Sequence, residues 1–188
     1  MYRVNEIFYS LQGEGRHTGR AAVFVRFSGC NLSCPFCDTD HSSYSVMSAD
    51  DILHAIAPYP SRFVVLTGGE PALQADEALT TALHAAGYTI AIETNGTHPL
   101  PQGIDWITLS PKAAPVVLQH CNELKLLFMS PDFTPDTRGI QADYYCLQPC
   151  DTGDADRNRA IAIAATAYIM QHPQWHLSLQ THKLAGFK

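Results

Sequence analysis

The chain lacks any cluster of basic residues and any long apolar run. Its 12 lysines and arginines are outnumbered by 18 aspartates and glutamates, which gives a formal net charge of −6. A protein that binds the phosphate backbone needs a basic face, so we expect no nucleic-acid partner. No apolar stretch approaches the roughly 18 residues of a membrane-spanning helix, so we expect no membrane partner. A small-molecule substrate or a protein partner fits this composition better.

Targeting, repeat and linker patterns are also missing. The first residues do not have the basic-then-apolar layout of a secretory signal peptide, and we therefore expect a cytoplasmic protein. No internal repeat, low-complexity tract or linker divides the chain. Residues 1–188 are predicted to form a single domain, which is long enough to bury a core without disulfide staples.

The cysteines do not have the distribution of a disulfide framework. Three of the six lie close together, at Cys30, Cys34 and Cys37. In a chain without a secretion signal, such a group is more often a metal or catalytic site. The other three are Cys121, Cys146 and Cys150, and we predict that they are buried small hydrophobic residues rather than ligands of a second cluster.

Apolar runs with β-propensity alternate with helical patterns along the chain. The predicted strands are Ala22–Phe27, Arg62–Leu66, Thr89–Glu93, Trp106–Leu109, Glu123–Phe128, Asp143–Leu147 and Trp175–Leu179. The predicted helices are Ser48–Ala57, Asp76–Ala86 and Asp154–His172. This alternation predicts βα units and a parallel sheet. A closed eight-unit barrel usually needs about 250 residues, so we expect an open, partial β/α barrel of about six parallel strands.

The polar and glycine-rich segments follow the predicted strands. They would therefore meet at the carboxyl edge of the sheet, where folds of this class build their active sites. The segment that stands out is Cys30-x3-Cys34-x2-Cys37, directly after a strand. Three thiolates on one loop can bind three irons of a cubane and leave the fourth iron open. The spacing alone leaves two alternatives: a zinc site with His41 as fourth ligand, or three metal-free cysteines.

Two segments together resemble the radical S-adenosylmethionine (SAM) superfamily. The cysteine spacing, with an aromatic residue at Phe36, is similar to the signature of that superfamily, and Thr67-Gly68-Gly69-Glu70-Pro71 resembles its GGEP motif. The resemblance implies a 4Fe–4S cluster whose open iron binds SAM. It also implies reductive cleavage of SAM to methionine and a 5′-deoxyadenosyl radical.

Further segments along essentially the whole chain resemble the 7-carboxy-7-deazaguanine synthase family. They are Ser10-Leu11-Gln12-Gly13-Glu14-Gly15, Arg26, Cys37-Asp38-Thr39, Glu93-Thr94-Asn95-Gly96, Ser110-Pro111-Lys112, Leu147-Gln148-Pro149 and Gln180-Thr181-His182-Lys183. The resemblance implies conversion of 6-carboxy-5,6,7,8-tetrahydropterin to 7-carboxy-7-deazaguanine and ammonia, on the route to queuosine and related deazapurines. It further implies a homodimer, a magnesium requirement, and an electron donor such as flavodoxin or ferredoxin.

The same resemblance assigns roles to individual residues. Cys30, Cys34 and Cys37 would hold the cluster, and Thr39 would bind magnesium. The SAM site would consist of Phe36, Cys37, Asp38, Gly69, Ser110, Pro111, Lys112, Gln148, Pro149, Cys150 and Asp151. The pterin site would consist of Leu11, Gln12, Gly13, Arg26, Thr67 and the C-terminal Lys188. No side chain is assigned as a catalytic residue, because the cofactor supplies the radical.

The chain departs from the family pattern at two places. No inserted helix is expected between Cys37 and Ser48, and the final residue is a lysine where an arginine-like final turn is expected. Two other functions compete with the family's. A glycyl-radical activating enzyme shares the cysteine spacing, but the LQGEG segment and the CDT triplet suit a small pterin site. A non-enzymatic iron–sulfur carrier or zinc module would not need the GGEP motif.

Overall fold

In the computed structural model, which describes residues 1–37, 39–40, 42–112 and 115–188, nine strands form one sheet. The strands are β1 (Tyr2–Leu11), β2 (Ala21–Phe27), β3 (Ser45–Met47), β4 (Phe63–Gly68), β5 (Thr89–Thr94), β6 (Trp106–Leu109), β7 (His120–Phe128), β8 (Gln141–Pro149) and β9 (Trp175–Leu177). Their order in space is β3-β1-β2-β4-β5-β6-β7-β8-β9. β2 and β4 to β9 pair in parallel, whereas β1 pairs antiparallel with both β2 and β3.

The sheet is an open barrel, as predicted. Its outer strands β3 and β9 lie at opposite ends of the strand order and do not pair. All of the predicted strands are present, and the parallel part has seven strands rather than about six. The short edge strands leave little unpaired backbone, because each has only three residues.

The three predicted helices are confirmed as α1 (Ala49–Ile56), α2 (Glu77–Ala85) and α3 (Ala155–Gln171). Each begins after a side chain that accepts a hydrogen bond from the first turn, namely Ser48, Asp76 and Asp154. A fourth helix, α4 (Thr181–Ala185), is too short to show a helical period and was not predicted. Among the described residues, no helix has the length and apolarity needed to span a membrane.

The alternation of strands with helices does not extend through the whole sheet. Helices occupy the connections from β3 to β4, from β4 to β5 and from β8 to β9. Within the described residues, the connections β5–β6, β6–β7 and β7–β8 carry no helix. Each of these connections has only 10 to 12 residues, which is how a barrel-like sheet fits into fewer residues than a complete (β/α)8 barrel.

Strand β1 was not predicted because a bulge interrupts its alternation. Tyr2 and Val4 pack against the outer core, and the pairing register with β2 shifts by one residue between Val4 and Glu6. After the shift Ile7 faces the outer core, while Glu6 lies opposite Arg26 on the inner face. A bulge re-aims the side chains that follow it, and here it turns Glu6 into the barrel.

The hydrophobic core is divided by the sheet. One outer cluster packs β1, β2, β4 and β5 against α1 and α2, and a second packs β6 to β9 against α3. A smaller cluster around Phe24 and Phe63 fills the inside of the barrel. His17 stacks edge-on against Phe63 and Trp106, with ring centroids 5.0 and 4.5 Å away. This apolar cluster occupies one part of the barrel interior. The part of the interior at the carboxyl ends of the strands is lined by polar side chains.

Candidate active site

A cavity of about 430 Å³ opens at the carboxyl ends of the parallel strands. Its wall takes side chains from the strand ends, from the cysteine loop and from the C-terminal segment. All four lysines of the chain line it: Lys112, Lys125, Lys183 and Lys188. In an acidic chain, this concentration of cations indicates a site that binds or neutralises anionic groups.

The loop after β2 brings three thiols to the cavity. Cys30, Cys34 and Cys37 are free thiols and all line its wall. The N–H of Cys37 donates to the Cys34 carbonyl oxygen over 3.0 Å, and the N–H of Leu32 points at Cys30 Sγ over 3.4 Å. A cubane binds each thiolate at a separate iron, so this donor set fits a 4Fe–4S cluster with one open iron.

Two glycines after β4 let the neighbouring backbone approach closely. Gly68 has a φ of +130°, and a Cβ there would overlap the backbone of Phe27. A Cβ on Gly69 would overlap the carbonyl oxygen of Gly29. The N–H of Gly69 donates to the Phe27 oxygen over 3.1 Å, and the N–H of Glu70 donates to the Gly29 oxygen over 2.9 Å. The glycine turn therefore holds the start of the cysteine loop in place.

Glu70 is buried and ties neighbouring strand ends together. Its carboxylate accepts hydrogen bonds from Thr94 Oγ1 and the N–H of Asn95, both over 2.7 Å, and from the N–H of Ala72 over 3.0 Å. Asn95 Nδ2 in turn donates to Asn31 Oδ1 over 3.1 Å. The glutamate of this motif thus stabilises the turns around the cavity through satisfied hydrogen bonds.

The floor of the cavity carries an ion network centred on one buried lysine, with two half-buried glutamates. Lys125 on β7 is only 4% exposed, and its Nζ lies 2.6 Å from Glu14 Oε2 and 3.0 Å from Glu93 Oε2. Gln12 Nε2 donates to Glu93 Oε1 over 3.1 Å, and Gln180 Nε2 donates to Glu14 Oε1 over 3.0 Å. The sequence reasoning missed Lys125. Its position two residues after Glu123 in an apolar strand marks an inward-facing charged pair.

Burial and the charge interactions around Lys125 shift the pKa values of this network. Burial raises the pKa of Glu14, but Lys125 outweighs it and lowers that pKa to about 2. Burial raises the pKa of Glu93 above its usual range, with Lys125 opposing the shift. Burial lowers the pKa of Lys125, but the surrounding carboxylates outweigh it and raise that pKa well above its usual range. Lys125 is therefore charged at neutral pH.

Comparisons with known proteins agree with this geometry. Residues 24–123 match the profile of the Radical SAM superfamily. A 7-carboxy-7-deazaguanine synthase from Bacteroides thetaiotaomicron is 48% identical, with 100% of both chains covered, and one from Bordetella pertussis is 48% identical, with 98% of both covered. The chain belongs to the 7-carboxy-7-deazaguanine synthase family. The crystal structure of QueE from Escherichia coli superposes with a TM-score of 0.74 at 28% identity, covering 95% of this chain and 93% of that one.

Most residues that the family pattern selects meet in the one cavity. Those lining it are Leu11, Gln12, Gly13, Arg26, Cys30, Cys34, Phe36, Cys37, Thr39, Thr67, Gly69, Ser110, Lys112, Gln148, Cys150, Asp151 and Lys188. Pro111 lines a neighbouring hollow of about 240 Å³, and Pro149 ends β8 outside the wall of the main cavity. Asp38 and His41, the alternative zinc ligand, lie outside the described residues.

Arg26 forms an ion pair with an acidic side chain of the same chain. The family resemblance predicts that this arginine binds the substrate carboxylate. Its Nε donates to Glu6 Oε1 over 2.8 Å, and its Nη1 donates weakly to Thr39 Oγ1 over 3.4 Å. The Lys188 ammonium pairs with the other oxygen of Glu6. Burial raises the pKa of Glu6, but its bonds to Lys188 and Arg26 outweigh this and lower it. One carboxylate thus orients two cations at the cavity mouth.

The predicted SAM side of the cavity is built around Lys112. Its Nζ donates to Ser110 Oγ over 2.6 Å and lies 5.9 Å from the centre of the Phe36 ring. Burial, followed by the nearby charge of Lys125, lowers the pKa of Lys112 to about 8. Gln148 lies across the cavity and accepts from Ser178 Oγ over 2.8 Å. These contacts give the family's serine–proline–lysine segment a defined position beside the cysteine loop.

The C-terminal segment covers one side of the cavity. Thr181 donates to the Gly13 carbonyl oxygen through its N–H over 2.9 Å and its hydroxyl over 2.8 Å. Lys188, the last residue, accepts at its main-chain oxygen from Ser10 Oγ over 2.7 Å. His182 and Lys183 also line the wall, and neither is among the residues that the family resemblance assigns to a site. Contacts between residues more than 160 positions apart build this side of the cavity.

The three downstream cysteines are buried, as predicted. Cys121 and Cys146 lie on the adjacent strands β7 and β8. Burial and the charge of Glu123 raise the pKa of both thiols to about 12. These thiols are protonated and poor metal ligands at neutral pH. Cys150 lies instead in the cavity wall, where burial followed by Asp151 raises its pKa.

Proposed function

We propose that this protein is a radical SAM enzyme that converts 6-carboxy-5,6,7,8-tetrahydropterin to 7-carboxy-7-deazaguanine and ammonia, in the biosynthesis of queuosine and related deazapurines. One observation carries the proposal. A loop of three free thiols opens onto the same cavity as the Arg26 guanidinium and a floor formed by the buried Lys125 with the half-buried Glu14 and Glu93. The thiols would bind the cluster at one end of the cavity. The ionic floor and Arg26 would bind a polar ring system that carries a carboxylate.

Cys30, Cys34 and Cys37 would hold the 4Fe–4S cluster, and Gly69, Ser110, Lys112 and the Gln148–Asp151 segment would surround SAM. When bound, the cluster and SAM supply the 5′-deoxyadenosyl radical that starts the reaction. The chain's own contribution is binding, orientation and exclusion of water. Phe36 and Leu127 line the wall beside the thiols and limit the access of solvent.

The pterin would lie between the ion network and Arg26. Leu11, Gln12 and Gly13 approach it from the end of β1, and Thr67 adjoins Arg26 across the β2–β4 pair. The Arg26 Nε is occupied by Glu6, which leaves the outer guanidinium nitrogens for the substrate carboxylate. Glu14 and Glu93 have acceptor oxygens at the opposite end, suited to ring N–H groups.

The proposal also includes a magnesium ion, a homodimer and a protein electron donor. The Thr39 hydroxyl lines the cavity beside Arg26, so a hard cation could take this oxygen together with oxygens of the substrate. The family resemblance supports a homodimer, a cytoplasmic location and a flavodoxin- or ferredoxin-type donor.

Anaerobic turnover of 6-carboxytetrahydropterin tests the function directly. The reconstituted protein should bind about four irons per chain and form the deazaguanine chromophore and 5′-deoxyadenosine. Alanine at Cys30, Cys34 or Cys37 should abolish SAM cleavage, whereas the matched Cys121→Ala variant should retain it. Formation of 5′-deoxyadenosine without a pterin-derived product would point to another substrate, such as the glycine of a glycyl-radical protein.

A further inference from the structure

Lys125 is surrounded by carboxylates from three parts of the fold. Glu14 follows the end of β1, Glu93 lies on β5, and Glu123 lies two residues before Lys125 on β7. Glu123 is 1% exposed, and its Oε2 accepts from the N–H of Arg16 over 3.0 Å. Among the described residues, Glu123 Oε1 has no hydrogen-bond partner. One buried ammonium thus faces more negative charge than it neutralises.

A network of this kind is costly if its only role is to stabilise the fold. Removing several ions from water costs free energy, and apolar side chains of similar volume often serve stability as well or better. The two carboxylates that face the cavity have the same pattern of hydrogen-bond partners. Glu14 and Glu93 each give one oxygen to Lys125 and the other to a glutamine, Gln180 or Gln12. Each oxygen retains a lone pair that can accept a further hydrogen bond.

Building on the function proposed above, we infer that Lys125 is a positioning residue. Its charge favours the ionised forms of Glu14 and Glu93 and holds both carboxylates side by side on the cavity floor, so that both accept hydrogen bonds from the amino and ring N–H groups of the pterin. An ionised carboxylate offers only acceptors, whereas a protonated one presents a donor to the same groups. The charge of Lys125 therefore determines whether the floor binds or repels the N–H edge of the substrate.

Loss of Lys125 should alter the protonation of the floor. Two adjacent carboxylates without a cation do not both ionise readily, and one of them retains a proton to higher pH. The other titratable groups facing this network are Glu123, Lys112 on the segment after β6, His182 on α4 and Cys146 on β8. Lys112 is the nearest alternative cation, but its ammonium is held by Ser110. Glu123 adds negative charge and increases the effect.

The experiment compares Lys125→Met with Lys125→Arg and with the exposed charge-loss control Arg159→Met on α3. Each holoenzyme is reconstituted anaerobically, and the KM for the pterin is measured between about pH 6 and about pH 9. At each pH, the ratio of the variant KM to the wild-type KM removes the substrate's own titration. For Lys125→Met we expect a ratio of about ten or more near neutral pH, which falls as the pH rises and the shared proton leaves. For Lys125→Arg and Arg159→Met the ratio should not vary with pH.

Cluster absorbance and SAM cleavage without pterin show whether each variant is folded and loaded. If Lys125→Met does not fold, the charge-balanced Lys125→Met/Glu14→Gln variant replaces it. That variant should again show a ratio that falls as the pH rises, because burial raises the pKa of Glu93 and the opposing charge of Lys125 is gone. The amide introduced at position 14 should add a loss that does not vary with pH. A ratio independent of pH, or below about three, would overturn the inference and leave Lys125 a packing residue. If wild type itself forms no deazaguanine product, it is the proposed function that fails, not the role of Lys125.

Discussion

Arg26 has one donor bonded within the fold and others that face the cavity. Its Nε is bonded to Glu6 on the neighbouring strand, and the remainder of the guanidinium faces the cavity. Glu6 reaches this position only because the bulge in β1 turns it inward. The pairing fixes the plane of the guanidinium, which suits it to bidentate recognition of a carboxylate.

The Arg26→Ala substitution should weaken binding of the pterin strongly. It removes the partner of the substrate carboxylate and also leaves Glu6 without its partner on β2, so that negative charge is left at the mouth of the cavity. An unpaired buried charge costs a few kcal/mol, which corresponds to roughly a hundredfold loss in affinity. Equilibrium binding should show this loss, with SAM affinity and the cluster spectrum unchanged. A pterin analogue without the carboxylate should lose little affinity; an equal loss for both ligands would make Arg26 a structural residue.

Thr39 is predicted to act through its hydroxyl oxygen. The Thr39→Ala variant should reduce the stimulation of turnover by magnesium, because the cation would lose the hydroxyl oxygen as a ligand. SAM cleavage in the absence of the pterin should be unchanged. Thr39→Ser retains the hydroxyl and should keep the magnesium response. Titration of magnesium against turnover measures both variants. An unchanged response in Thr39→Ala would remove this residue from the magnesium site.

At the scale of elements, helix α3 has faces with different roles. Ile161 and Ala165 are fully buried against the second outer cluster, whereas Ile163 is 61% exposed and Met170 is 81% exposed. Only one stripe of the helix is therefore held by packing within the chain. The Asp154 cap, which accepts from the N–H of Arg157 over 2.9 Å, fixes where the helix begins.

This difference predicts unequal effects of two matched substitutions. Ile161→Ala should reduce the free energy of unfolding by about 2–5 kcal/mol, because it leaves a cavity in a closed core. Ile163→Ala on the same helix should change it by about 0.5 kcal/mol or less at low protein concentration. Denaturant unfolding followed by circular dichroism compares the two. A large loss for Ile163→Ala that grows with protein concentration would show that another chain covers this face.

At the scale of the whole molecule, the inside of the barrel has an apolar part and an ionic part. Phe24, Phe63 and Trp106 pack together with the ring of His17, and the Glu14–Lys125–Glu93 network lies at the cavity. The apolar part supplies hydrophobic stabilisation without charged groups. The ionic part makes the stability of the fold depend on pH.

Acid should weaken the fold through Glu14. The pKa of this group is 4.5 when unperturbed and about 2 in the folded chain. A lowered pKa contributes stability above about pH 4.5, and that contribution is lost as the pH falls through about 2. The shift corresponds to about 3 kcal/mol. Glu93 has the opposite sign, because its raised pKa favours the folded state at low pH.

The comparison of wild type with Glu14→Gln isolates this contribution. Both are measured as cluster-free protein, because acid protonates the thiolate ligands and releases iron. Between about pH 5 and about pH 2, wild type should lose about 3 kcal/mol more unfolding free energy in urea than the variant. Parallel stability curves would show that Lys125 stabilises the two protonation states of Glu14 equally.

Features that depend on local patterns can be predicted from the amino-acid sequence alone. Apolar runs predict every parallel strand, and the helical patterns over 48–57, 76–86 and 154–172 predict the three longer helices, because both are properties of neighbouring residues. The cysteine spacing and the glycine turn could be recognised for the same reason. Each lies within one short segment.

Contacts between side chains that are distant in the sequence depend on how the strands are arranged in the folded chain. Lys125 pairs with Glu14 and Glu93, which are 111 and 32 positions away, and Lys188 pairs with Glu6, which is 182 positions away. Strand β1 is also identified only in the structure. Its bulge breaks the alternation of side chains and becomes visible in the pairing with β2. Strand order and register bring these groups together, and a linear pattern does not contain either. The ionic floor of the cavity is therefore a property of the assembled barrel.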